Sequence, residues 1–273
     1  MYNVRFPGLG LSFNVDPVAF SVGDFSVYWY GIIIGCGFIL ALLFAMRNLK
    51  RFGIDRDGFF DCVLVGLVCG ILGARLYYVF FSWDYYSQHL NEILAIHNGG
   101  LAIYGGVIGG LVSGCIVAKL KKISIPAILD IAVMGFLIGQ GIGRWGNFVN
   151  QEAFGTETDL PWRMVSENTN EIGVHPCFLY ESIWCILGFF VLYFFSRKFR
   201  KYDGQIFLLY LVWYGFERML VEGLRTDSLY TPIFGLRVSQ ILSGITFITG
   251  IVLLIVFRNR TVKAVDQSEE ISN

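Results

Sequence analysis

The sequence predicts an all-α polytopic membrane protein of seven transmembrane helices, with its N-terminus outside and its C-terminus in the cytoplasm. Three observations carry that expectation. Of 273 residues, 55% are hydrophobic and only 15% charged, where a soluble domain carries about 25%. Apolar runs long enough to cross a bilayer, about 20 residues each, recur along the whole chain. Basic residues gather in alternate connecting segments, the pattern that fixes orientation.

The spans are expected at about 26–46, 59–81, 99–118, 126–147, 177–196, 204–222 and 238–257. The first is followed by Arg47, Lys50 and Arg51, and the third by Lys119, Lys121 and Lys122. Arg197, Lys198, Arg200 and Lys201 follow the fifth, and Arg258, Arg260 and Lys263 the seventh. The intervening segments 82–98 and 148–175 lean acidic, which puts them outside. The segment 148–175 is then a small extracytoplasmic loop region between the fourth and fifth helices. Pro126 and Pro176 stand at helix starts, where a missing N–H costs least. Asp203 is placed to cap the sixth helix. Glycines four apart, as in Gly66/Gly70, Gly105/Gly109, Gly106/Gly110 and Gly135/Gly139/Gly143, let helix backbones approach closely in lipid. One catalytic domain is expected over 1–260, with a polar, disordered cytoplasmic tail over 261–273. The first twenty residues lack a basic stretch leading into a short apolar run, so no cleavable signal peptide is expected.

Composition also excludes. A net charge of zero gives no reason to expect nucleic acid. The six cysteines include no CxxC pair, and His89, His97 and His175 lack metal-ligand spacing, so neither a disulfide framework nor a zinc site is expected. There is no phosphate loop, serine nucleophile elbow or metal-binding carboxylate cluster, and no cofactor is expected.

Ionisable groups inside a bilayer are costly, and mark function by default. The alternating topology places each one by depth. Arg144 and Asn147 fall at the outer end of the fourth helix, and Arg218 and Glu222 in the outer third of the sixth. Arg75 falls in the outer third of the second, and Tyr30, Tyr104 and Tyr180–Glu181 near the outer ends of the first, third and fifth. Taken singly, Arg75 reads as a snorkelling side chain and Tyr30 as an interfacial belt residue. Two segments are denser than packing explains. In 141–155, Arg144 and Asn147 share a helix face, Asn150 and Glu152 follow, and Gly143, Gly146 and Gly155 would let a ligand approach the backbone. In 213–227, Tyr214, Arg218 and Glu222 recur every four residues, with Arg225 three further on. Arginines at one depth suit a phosphate, and at outer-leaflet depth the simplest phosphate is a phospholipid head group.

These residues resemble bacterial prolipoprotein diacylglyceryl transferases. GRWGNFVNQEAFG (143–155), HNGGLAIYGGVIGG (97–110), HPCFLYE (175–181) and YGFERMLVEGLRTDS (214–228) are similar to that family's characteristic segments, in the same order. The resemblance implies transfer of the diacylglyceryl group of phosphatidylglycerol to the lipobox cysteine of a prolipoprotein signal peptide. A thioether forms and glycerol phosphate leaves, with the site near the outer leaflet of the bacterial plasma membrane. Tyr30, Arg144, Asn147, Glu152, Gly155, Arg218 and Glu222 match positions the family uses. The expected catalytic residues are Arg144, Arg218, Glu222, Tyr104 and Tyr30; the expected substrate-binding residues are Arg144, Asn147, Glu152, Gly155, Arg218, Tyr214, Arg75 and His175. Family members often carry histidine where this chain has Tyr104, so Tyr104, Tyr30 and Glu222 all stand as candidate proton acceptors. Two rivals are weighed against this reading. A transporter needs polar groups across the midplane, whereas here they share one level. A membrane acyltransferase would use Cys177 as nucleophile beside His175.

Overall fold

The structure, a computed structural model, describes residues 1–23, 25–96, 99–228, 230–231 and 235–260. The tail expected at 261–273, with Lys263, lies outside the described residues, as do His97 and Asn98. Two compact units emerge, one of Met1–Arg47 and the chain from Asp130 onward, the other of Asn48–Leu129.

The first unit begins with a departure from the all-helical expectation. Strands β1 (Tyr2–Phe6) and β2 (Leu11–Val15) pair antiparallel, and so do β3 (Val18–Val22) and β4 (Phe25–Tyr28). Gly10 closes the first hairpin at φ 65°, a left-handed conformation that glycine adopts without strain. Arg5 and Val165 exchange backbone N–H···O bonds of 2.8 Å each. Beneath that pairing Val4, Phe6, Met164, Val174 and Phe178 form a buried cluster. The chain start is thereby fastened to the 148–175 connection.

Helix α1 (Trp29–Asn48) follows directly, so the first span starts three residues later than expected because 25–28 is strand. Helices α5 (Ile125–Asn150), α6 (Cys177–Lys198), α7 (Gln205–Glu222) and α8 (Val238–Val256) complete the unit, the first turn of α5 belonging to the other. The cap of α7 corrects the sequence reading. Asp203 pairs with Arg200 instead of capping. The helix N-terminus is held by fully buried Asp130 of α5, which accepts from Gly204 N at 2.9 Å, Phe207 N at 2.8 Å and Arg200 Nε at 3.0 Å. A carboxylate facing orphan N–H groups and a guanidinium satisfies both ends of the arrangement.

The second unit is built on α2 (Arg56–Phe81) and α4 (Ile103–Leu120), with a single-turn α3 (Trp83–Tyr86) between them. Asp55 caps α2 by accepting from Gly58 N at 2.9 Å. The glycine faces expected from sequence meet here. A Cβ on Gly73 would lie 2.6 Å from the Gly105 carbonyl oxygen, and one on Gly109 would lie 2.5 Å from that of Cys69. Helix α4 begins at Ile103, not near 99, because Gly99 and Gly100 turn the chain at φ 81° and 70°.

Six helices among the described residues are long and apolar enough to cross a membrane: Trp29–Phe52, Arg56–Phe81, Ile103–Leu120, Ile125–Asn150, Cys177–Lys198 and Val238–Val256. Their outward faces stay apolar, with Leu64, Leu67, Val68, Phe190, Phe194, Ile245 and Ile248 exposed. Helical spans satisfy their own backbone and leave such faces to lipid. The protein is an α-helical, multi-pass membrane protein. Helix α7 is long enough as well, at 18 residues, but carries Glu217, Arg218 and Glu222.

Candidate functional site

The polar stripe of α7 and the polar end of α5 converge on a residue that the sequence analysis placed at this level without assigning it a role. Glu181, in the second turn of α6, is 1% exposed. Arg144 of α5 pairs with its Oε2. Arg218 Nη1 lies 3.1 Å from Oε1, and Arg225 Nη1 lies 3.5 Å from the same oxygen. One buried carboxylate is therefore the shared counter-ion of three guanidinium groups from two helices and the segment after α7. Such a buried charge persists only with its partners in place. The signal for it was present in the sequence, as an acid in an apolar span directly after Tyr180.

Each arginine is also held from a second side. Arg218 Nη2 is 2.5 Å from Glu222 Oε2, one turn further along α7. Arg237 donates to the Glu222 backbone carbonyl. Arg225 forms a two-pronged pair with Asp227, Nε to Oδ1 at 2.9 Å and Nη2 to Oδ2 at 2.6 Å. Burial works against the charge of Arg225, but its hydrogen bond to Asp227 and the nearby Glu181 outweigh it and raise its pKa. The same hydrogen bond holds Asp227 below the usual carboxylate range. Arg144 Nη1 lies 3.4 Å from Asn147 Oδ1, and Asn147 Nδ2 donates to Glu152 Oε1 at 2.9 Å. With five N–H donors per guanidinium, Arg144 and Arg218 keep capacity for a further oxyanion. Their side chains remain 20% and 15% exposed.

Gly143, Gly146 and Gly155 lie close to neighbouring parts of the chain. A Cβ on Gly146 would lie 2.7 Å from Tyr30 Cδ2, so Tyr30 packs flat against the helix that carries Arg144. Gly143 faces Ile34. A Cβ on Gly155 would lie 2.7 Å from His175 Cβ and 2.9 Å from Cys177 Sγ. Gly155 N donates to His175 O at 2.9 Å, and Thr156 N to Leu224 O at 2.8 Å, tying the loop to the exit of α7. His175 Nδ1 is 3.2 Å from Tyr180 Oη, which also accepts from Trp162 Nε1 at 2.7 Å. Burial pushes the His175 imidazole below its ordinary pKa. Tyr214 stacks on Tyr210, ring centroids 5.5 Å apart, and Tyr210 Oη donates to Gln140 Oε1 at 3.3 Å.

The two candidates of the second unit have surroundings of their own. Tyr104 is exposed in the first turn of α4. Arg75 does not snorkel: it is 1% exposed. Its Nε donates to Ile93 O at 2.8 Å, Nη1 to Gly99 O at 2.6 Å and Gly100 O at 3.1 Å, and Nη2 to Glu92 O at 2.7 Å. Tyr86 lies under the guanidinium at 5.1 Å. Arg75 thus gathers the carbonyls of Glu92, Ile93, Gly99 and Gly100 around one buried guanidinium. Cys177 is fully buried beneath Gly155, a packing role.

Arginines locked in place by acids, with donors to spare, lie among helices whose outward faces are apolar, in an integral membrane protein. The sequence model of the prolipoprotein diacylglyceryl transferases matches residues 17–256. The phosphatidylglycerol--prolipoprotein diacylglyceryl transferase of Limosilactobacillus reuteri (strain DSM 20016) is 43% identical, over 93% of this chain and 95% of its own. That of Finegoldia magna is 43% identical over 92% and 99%, and that of Bacillus cereus (strain G9842) 44% over 92% and 95%. The chain belongs to the prolipoprotein diacylglyceryl transferase family.

Proposed function

We propose that this chain transfers the sn-1,2-diacylglyceryl group of phosphatidylglycerol to the lipobox cysteine of prolipoproteins, the first step of bacterial lipoprotein maturation. The carrying observation is the convergence of Arg144 from α5 and Arg218 from α7 on one carboxylate, Glu181. Two guanidinium forks spaced to share one anionic group suit the phosphate of a lipid head group.

In the reaction the substrate thiol attacks the glycerol carbon that bears the phosphate. The C–O bond breaks, its electron pair stays on the phosphate oxygen, and the thiol proton passes to a base. Glycerol phosphate is a stable anion, so fixed guanidinium groups meet the charge that develops on it. A free thiol has a pKa of about 8.5 and needs only modest help to ionise. Arg144 and Arg218 hold the phosphate; Glu181 and Glu222 keep their forks aimed. Asn147, Glu152, Gly155, Tyr214 and His175 shape the head-group pocket, with Tyr30 packed against α5 beside Arg144.

We place α7 as a seventh span. Its Arg218 and Glu222 are paired, which offsets the cost of charge in a bilayer. The alternating basic clusters support an outside N-terminus, and with it a site near the outer leaflet of the plasma membrane. The test is direct. Purified protein, phosphatidylglycerol and a lipobox peptide should give a peptide heavier by one diacylglyceryl group, joined through sulfur. A peptide with serine for the cysteine should stay unmodified. Equal modification of both peptides would refute thioether transfer.

A further inference from the structure

Once the three arginines have their partners, one acid of the cluster is left over. Arg144, Arg218 and Arg225 are matched by Glu181, Glu222 and Asp227. Glu217 is the fourth acid. It lies on α7 one residue before Arg218 and is 4% exposed. Both carboxyl oxygens are buried, and neither has a hydrogen-bond partner among the described residues. A buried polar group left unsatisfied in this way costs free energy, so its presence calls for a role. No salt bridge joins it to the arginines, yet Arg144, Glu181, Arg218 and Arg225 all lie within electrostatic reach. Cys185 of α6 and Tyr210 and Tyr214 of α7 also lie within its electrostatic reach. Helix α8, which packs on α7, carries no titratable side chain.

The chemistry needs such a group. Each turnover breaks one S–H bond, and the proton must go somewhere while the phosphate is still departing. An acid already bound to arginine is a poor acceptor, because the guanidinium stabilises the charged form that would have to be given up. Glu181, Glu222 and Asp227 are each committed to an arginine.

We propose that Glu217 is the proton acceptor of the transfer, the buried carboxylate left without a hydrogen-bond partner beside Arg218, which takes the thiol proton and later releases it to the departing phosphate or to water. The proposal rests on the transferase reading. Charge is conserved through the step: the carboxylate loses one negative charge as the phosphate gains one.

The test is the pH dependence of kcat, per folded molecule, with phosphatidylglycerol and a lipobox peptide. In the parent, kcat should rise along one limb as pH increases. In Glu217→Gln, kcat should fall by about 10²-fold, the size usual for a lost acid–base group, the limb should vanish, and KM for the lipid should stay within about threefold. Glu217→Asp should recover part of kcat with a displaced limb. Near-parental kcat and an unchanged profile in Glu217→Gln would overturn the proposal. So would a loss confined to the amount of folded protein, with kcat per folded molecule intact. If Glu217→Gln does not fold, Glu217→Asp and the parent decide. A parental profile in Glu217→Asp, with no solvent isotope effect on parental kcat, would overturn it. No thioether from the parent at all would defeat the transferase reading and this role together; an active parent with a normal Glu217→Gln would defeat the role alone.

Discussion

Arg144 and Arg218 stood out in the sequence because charge inside an apolar span has no cheap explanation. The structure adds what pattern cannot supply, the partner they share. Glu181 sits four residues past the helix start at Cys177, and nothing in its spacing announces that arginines from α5 and α7 will meet there. Glu217 was hidden for a related reason, since it stands off the four-residue spacing of Tyr214, Arg218 and Glu222, and its lack of a partner emerges only from the pairings around it. At Arg75 a lone arginine at that depth suggests an interface or a ligand, and the fold adds four backbone carbonyls around it. A clamp built on forks makes a definite prediction. Lysine offers a point charge in place of a planar fork. Arg144→Lys and Arg218→Lys should each lower kcat by about 10²-fold, in the range seen on removing a donor from a transition-state site. KM for the lipid should change less, because the clamp acts on charge that develops as the phosphate leaves. Turnover measured per correctly folded molecule checks this. Near-parental kcat in both variants would remove the clamp from the mechanism.

At the scale of elements, the long helices and the glycine faces were legible because both are local patterns. Hydrophobic run length sets a span, and small residues four apart set a close contact. The hairpins at the chain start were not legible, since β1 is stabilised by pairing with Val165, far along the sequence. The cap of α7 was misread for the same reason. Asp203 is the sequence neighbour, but Asp130 reaches the free N–H groups from another helix. The α2–α4 contact yields a prediction. A Cβ at Gly109 already meets the Cys69 carbonyl oxygen at 2.5 Å, and that oxygen belongs to helix backbone and cannot swing aside. Gly109→Leu should destabilise the protein by about 1–3 kcal/mol or more through overpacking. The unfolding midpoint in mild detergent should fall accordingly, whereas Gly114→Ala, where a Cβ would lie 3.7 Å from the Cys62 carbonyl oxygen, should change it little.

For the whole molecule, composition alone defined a multi-pass membrane protein, and the motifs brought the family. The orientation rests on the basic clusters, and it determines which leaflet supplies the lipid. Cysteine labelling in intact cells, in a background without native cysteines, should modify a probe at 160 directly and one at 122 only after permeabilisation. The reverse pattern would move the site to the cytoplasmic leaflet. In the proposed chemistry the glycerol carbon, not an acyl carbonyl, is attacked, and the thiol belongs to the peptide. The most direct measurement follows two labels in phosphatidylglycerol, one in an acyl chain and one in the phosphate, through reaction with a lipobox peptide. The acyl label should appear on the peptide in a linkage that resists hydroxylamine, the phosphate label should appear in free glycerol phosphate in equal amount, and Cys177→Ala protein should do the same. Acyl label in a hydroxylamine-sensitive ester, or trapped on Cys177 of the protein itself, would contradict the claim.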